Sequence, residues 1–127
     1  MSLGLEQHLL RQMAFSHATF GPGTRTEGVI DHIRKELDEV LLSGGSAMEW
    51  VDVVILALDG LTREIAFGES IDAGNYINGR KTPESAAAQA VDLILAKQSR
   101  NETRKWPDWR TVDAGKAIEH DRTGEGQ

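Results

Sequence analysis

The chain has 127 residues, enough for one compact domain. Twenty acidic residues against 14 Lys and Arg give a formal charge of −6, which argues against a general nucleic-acid coat and suits a protein that holds divalent cations. No cysteine is present, so disulfides, thiolate zinc sites, iron–sulfur clusters and thiol nucleophiles are excluded together.

The first predicted helix is roughly Leu5–Phe15, with Leu9, Leu10, Met13 and Ala14 at helical spacing. The chain start, MSLGLEQHLLRQ, puts Glu6 where an export signal would be apolar, so a cytoplasmic location is expected. Phe20-Gly21-Pro22-Gly23 breaks any helix, and Thr24 to Glu27 has the form of a capping box. A second helix follows over about Glu27–Leu42, with Val29, Ile30, Ile33, Leu37, Val40 and Leu41 as its apolar set and Gly44-Gly45 as its end.

Ser46 to Glu49 reads as another capping box, opening a third helix that runs to about Ile65. Trp50, Val51, Val53, Val54, Ile55, Leu56, Leu58 and Leu61 make it apolar on most sides, the mark of a central core helix. Its longest apolar run, Val53–Leu58, is six residues, far short of a membrane span. Phe67–Lys81 is a long polar connection rich in Gly and Asn, of a length that in a small domain is often functional or mobile. Thr82-Pro83 then starts a fourth helix, with Thr82 as N-cap, lasting to about Arg104. A short fifth helix is expected over Val112–His120, and Thr123–Gln127 as a disordered tail.

The sum is an all-α fold, a four-helix bundle in a single domain over residues 1–122. Three short neighbours cannot cover so apolar a third helix, so burial is expected to be completed by oligomerisation.

Glu36-x-x-Glu39 lies on the second helix and Glu49-x-x-Asp52 opens the third. Carboxylates three apart on a helix sit roughly 60° from each other, so each pair points one way. A short turn makes the two helices antiparallel neighbours and brings the four carboxylates together. Converging like charges need compensation, and hard oxygen ligands select Mg²⁺, Mn²⁺ or Ca²⁺. Such pairs also fit a solvated helix face, and Glu49 also fits a cap. Asp59, one heptad after Asp52, needs a partner among core residues; Arg63 at i+4 is the nearest.

Lys97, Asn101 and Arg104 share one face of the fourth helix and extend its Ala86, Ala90, Leu93, Ile94 stripe. That suggests a lined cavity with phosphate-binding cations, or equally a solvated helix end whose cations suit the helix dipole. Trp106 and Trp109 either stack on a base or cap the bundle. Arg25 stands at the start of the second helix, where anions bind well. His32, one turn before Glu36, either supports that carboxylate or is solvated. There is no GxxxxGK[ST], GxGxxG or GxSxG.

The acidic signature resembles the E-x-x-E…E-x-x-D pattern of the MazG-like all-α nucleotide pyrophosphohydrolases. FGPGTRTEGVIDHIRKELDEV, EWVDVVILALDG and NETRKWPDWR are similar to strings of the phage dATP/dGTP diphosphohydrolase group, which includes the MazZ-type enzymes of phages that use 2-aminoadenine. The spacer between Glu39 and Glu49 is short for the wider superfamily, consistent with a tighter turn.

The resemblance implies cleavage of a purine (deoxy)nucleoside triphosphate to monophosphate and pyrophosphate. It further implies that Glu36, Glu39, Glu49 and Asp52 hold Mg²⁺ or Mn²⁺ and activate water, with Glu39 a candidate proton acceptor. Lys97, Asn101 and Arg104 would contact triphosphate or sugar, with Arg25 and Trp106 as further substrate-binding candidates. It also implies a homodimer or homotetramer and, in a phage, supply of dGMP and depletion of dATP. Two other readings remain: a pyrophosphatase acting on dUTP or a damaged nucleotide, and a helical nucleic-acid-binding module using Arg100, Arg104, Lys105, Trp106, Trp109 and Arg110.

Overall fold

The structure is a computed structural model that describes residues 4–68, 70–72, 75–77 and 81–123. Among these it is all-α, with four long helices: α1 (Leu5–Phe20), α2 (Thr26–Leu42), α3 (Ala47–Phe67) and α4 (Pro83–Thr103). The chain forms two compact units, Met1–Asp92 and Leu93–Gln127.

In the first unit, α1 turns Leu9, Gln12, Met13 and Ser16 inward at i, i+3, i+4 and i+7. Ala14, expected on that stripe, is exposed. The helix runs past Phe15 to Phe20 because its backbone ladder continues until Gly21, whose N–H still donates to the His17 carbonyl at 3.1 Å. Gly21 and Gly23 then both take φ +94, which stops the helix.

α2 begins without the predicted capping box. Arg25 occupies the cap position in the left-handed conformation, φ +46, and no side chain caps the helix. At its far end the Gly45 N–H donates to the Val40 carbonyl at 2.8 Å and the Gly44 N–H to Leu41 at 3.1 Å. These paired bonds, with both glycines at positive φ, are a Schellman closure. The Ser43 hydroxyl adds a bond to the Val40 carbonyl and accepts from the Ser46 N–H.

That tight closure sends α3 back along α2. Gly60 of α3 lies against Val29 of α2, where an added Cβ would stand 3.5 Å from the valine methyl. Ser46 is the cap residue of α3, but its side chain makes no capping bond, so the second predicted capping box is also absent.

α1 packs on α3 and is tied to it by side chains. Gln12 donates to the Ile55 carbonyl at 2.7 Å. Arg63, fully buried, uses all five of its N–H groups: Nε on both oxygens of Asp59, Nη1 on the carbonyls of Gly21 and Gly23, Nη2 on the carbonyl and hydroxyl of Ser16. The expected Asp59–Arg63 pair is therefore present, and it also anchors the α1–α2 connection.

α3 is not the fully covered core helix that its composition suggests. Its C-terminal half is buried at Leu56, Asp59, Thr62, Arg63, Ile65 and Ala66, whereas Trp50, Val51, Val54 and Ile55 are 38–54% exposed in the single chain. Leu41 and Leu42 on α2 are more than 80% exposed.

The connection after α3 contains a short antiparallel hairpin, β1 (Ser70–Asp72) with β2 (Asn75–Ile77), Ile71 opposite Tyr76. Strands of three residues carry too little alternation to register as a periodic pattern. The Phe67–Lys81 connection falls partly outside the described residues. Thr82 caps α4 as expected, its hydroxyl accepting from the Ser85 N–H at 3.1 Å. Ala86, Ala87 and Ala90 are fully buried.

In the second unit, the expected helix over Val112–His120 is absent. A single 3₁₀ turn, η1 (Trp109–Thr111), takes its place. The Asp108 side chain accepts from the Arg110 N–H, and Asp113 accepts from the Gly115 N–H. Such local bonds compete with helix formation. The strand-like bridge Lys105–Asp121 and the edge contact of Trp106 with His120, 5.5 Å between ring centres, close this segment on itself. Of the expected disordered tail, only Thr123 is described.

Candidate functional site

The α2–α3 hairpin sets the geometry of the acidic residues. Counting outward from the two-glycine turn, Glu36 stands level with Asp52, and Glu49 lies one turn nearer the loop. Carboxylate oxygens of Glu36, Glu49 and Asp52 all come within 4.8 Å of one another. Glu36 and Glu49 are half-buried, and Asp52 is exposed.

Electrostatics bears the mark of this crowding. The Glu49 carboxyl is pushed above its ordinary range, by its partial burial first and then by the negative charges of Asp52, Glu36 and Glu39. Glu39 is thus close enough to act on Glu49, yet it is exposed and outside the group of three. Asp59 is drawn out of the acidic stripe altogether, into the buried pair with Arg63.

His32 reaches the cluster as the one-turn spacing allows. Its Nε2 lies 3.5 Å from Oε1 of Glu36, while the imidazole remains about half exposed. The sequence alone does not decide between contact and solvation here, because i,i+4 spacing fits both.

The donor set is three carboxylates with converging oxygens. This chemistry fits a hard divalent cation, which would offset both the burial of the Glu49 charge and the repulsion from its neighbours. Mg²⁺ and Mn²⁺ both accept such ligands.

The family model described as dATP/dGTP pyrophosphohydrolase matches residues 9–77, more than half of the chain and the whole of the acidic hairpin. The chain belongs to the dATP/dGTP pyrophosphohydrolase family. Membership makes it a nucleotide pyrophosphohydrolase, a hydrolase acting on nucleoside triphosphates. No curated protein and no solved structure matches the chain at a significant level. Nor does any helix among the described residues have the length and apolarity to cross a membrane.

The remaining residues anticipated for this pyrophosphohydrolase lie as follows. Arg25, beside Gly28, places its guanidinium over the Phe20 ring, 5.7 Å from the centre. In the second unit, Arg104 Nη1 donates to Oδ1 of Asn101 at 2.9 Å, and the Trp106 indole donates to the Asn101 carbonyl at 2.7 Å. Asn101, Arg104 and Trp106 are therefore one bonded group, with Lys97 exposed one turn earlier.

Proposed function

We propose that the protein hydrolyses dATP or dGTP between the α and β phosphates in a reaction dependent on Mg²⁺ or Mn²⁺, releasing the nucleoside monophosphate and pyrophosphate. The observation that carries this reading is the convergence of Glu36, Glu49 and Asp52 within the residues that match the family. Glu36, Glu39, Glu49 and Asp52 hold the cation. Bound there, it supplies positive charge to phosphate oxygens and makes water easier to deprotonate.

Of these four, Glu39, exposed and at the edge of the group, accepts the proton of the attacking water. The water oxygen bonds to phosphorus, the P–O bond to the bridging oxygen breaks, and its electron pair leaves with pyrophosphate. Lys97 and Arg104 balance the triphosphate charge, with the Asn101 bond fixing the plane of the Arg104 fork. Arg25 and Trp106 complete the substrate contacts.

The exposed apolar residues of α3 are covered in a homodimer or homotetramer, because isolated Trp50, Val51, Val54 and Ile55 would leave a large apolar patch in water. The enzyme works in the cytoplasm. In a phage that uses 2-aminoadenine it removes dATP and supplies dGMP.

The test is incubation of the pure protein with each dNTP and NTP, with Mg²⁺, with Mn²⁺ and with chelator, followed by chromatography. Cation-dependent monophosphate and pyrophosphate from dATP or dGTP are expected. Turnover that survives chelation, or acts on neither purine deoxynucleotide, overturns the reading.

A further inference from the structure

We propose that His32 is a positioning residue for the acidic cluster, its imidazole holding the Glu36 carboxylate turned toward Glu49 and Asp52. The inference rests on the metal-dependent reading above and adds a residue to it.

A glutamate side chain has three rotatable bonds before its carboxylate. Beside two other carboxylates within 4.8 Å, Coulomb repulsion drives it to rotate away, toward water. Glu36 is nonetheless turned in, with its side chain only 19% exposed. The group that touches it from its own helix is His32, whose Nε2 is 3.5 Å from Oε1.

A neutral imidazole suffices for this. With its proton on Nε2, the N–H dipole faces Oε1 across 3.5 Å, an electrostatic contact longer than a hydrogen bond, and leaves Oε2 for a cation. On the neighbouring face of α2, Asp31 pairs with Lys35 at 3.3 Å, so that carboxylate is held by a cation of its own and leaves His32 to Glu36. Groups that orient ligating carboxylates in this way contribute about 10–100-fold to metal affinity. His32 is half exposed, so the lower end of that range applies.

The experiment titrates Mn²⁺ alone, without nucleotide, into the full chain by isothermal calorimetry, and follows the melting temperature in chelator. His32→Ala is expected to bind Mn²⁺ about tenfold more weakly with its melting temperature unchanged. His32→Gln, which offers an amide N–H at similar reach, is expected to recover most of the affinity. Wild-type affinity in His32→Ala overturns the proposal, as does an equal loss in both variants, which would trace the effect to helix packing and not to the contact. Failure of the wild-type protein itself to bind Mn²⁺ overturns the metal-dependent reading, and is seen before any variant is made.

Discussion

Arg63 and Asp59 face each other one turn apart on α3, fully buried, with the arginine Nε 3.0 Å from both carboxylate oxygens. A pair isolated in a core is often replaceable by apolar residues at little cost. This one is not isolated, because the remaining four N–H groups of Arg63 satisfy the Ser16 hydroxyl and the backbone carbonyls of Ser16, Gly21 and Gly23.

Arg63→Met is therefore expected to lose about 3–5 kcal/mol in urea unfolding. Adding Asp59→Leu removes the orphaned carboxylate but leaves three carbonyls without donors, so the double variant stays well below wild type. Full recovery in the double variant would show that the carbonyl bonds contribute nothing.

Glu49 supplies a stability prediction with a definite sign. Its pKa is raised in the folded chain, from an ordinary value of 4.5. Just above that value the folded state binds more protons than the unfolded one, so stability of the cation-free protein falls as pH rises through this window. Glu49→Gln is expected to flatten that dependence and raise the melting temperature in chelator at neutral pH, while abolishing turnover. Melting curves against pH, with and without chelator, check it.

His17 has the opposite slope. Burial, and then the charge of Arg63, lower its pKa below 6.5, partly offset by Asp59. Its Nε2 is buried without a hydrogen-bond partner, and its ring lies 5.2 Å from that of Phe67. Well above pH 6.5 the group is neutral in both states. Below it the unfolded chain takes up the proton first, so stability is lost as pH falls. His17→Phe is expected to remove this acid-side loss, read as a shallower slope of unfolding free energy below pH 6.5.

The apolar half of α3 predicts assembly. Light scattering is expected to give a mass of two or four chains, and Val54→Glu, at a position 54% exposed in the single chain, to lower it without loss of helicity. A wild-type monomer would leave Trp50 and its neighbours without a burying partner.

All four main helices were legible because each carries a long apolar stripe or a clear stop signal. Thr82 capped α4 as written, and the Asp59–Arg63 pair followed from i,i+4 spacing. The capping boxes at Thr24 and Ser46 are absent for two different reasons. A four-letter pattern does not say which residue the backbone will use as cap, and the glycine-flanked loop hands the first place to Arg25. At the second place Ser46 is the cap residue, but its side chain makes no capping bond. Within the acidic group, spacing predicts that four carboxylates meet. Oxygens of Glu36, Glu49 and Asp52 converge within 4.8 Å, while Glu39, which is exposed, acts on Glu49 through its charge. In place of the expected helix over Val112–His120 the chain makes a 3₁₀ turn at Trp109–Thr111 and a side-chain turn in which Asp113 accepts from the Gly115 N–H, and no helical ladder follows.

The two-glycine closure between α2 and α3 also sets an order of assembly. Glu36 and Asp52 are near neighbours along the chain, whereas Arg63 meets Ser16, Gly21 and Gly23 across 40 to 47 residues. Short loops close early and long ones late, because loop closure costs entropy. The carboxylates are therefore expected to meet, and repel, before α1 docks. Divalent ions are expected to speed folding measured by stopped-flow, and substitution of Arg63 to speed unfolding instead, as a hairpin that gathers charge early and an arginine that locks it late require.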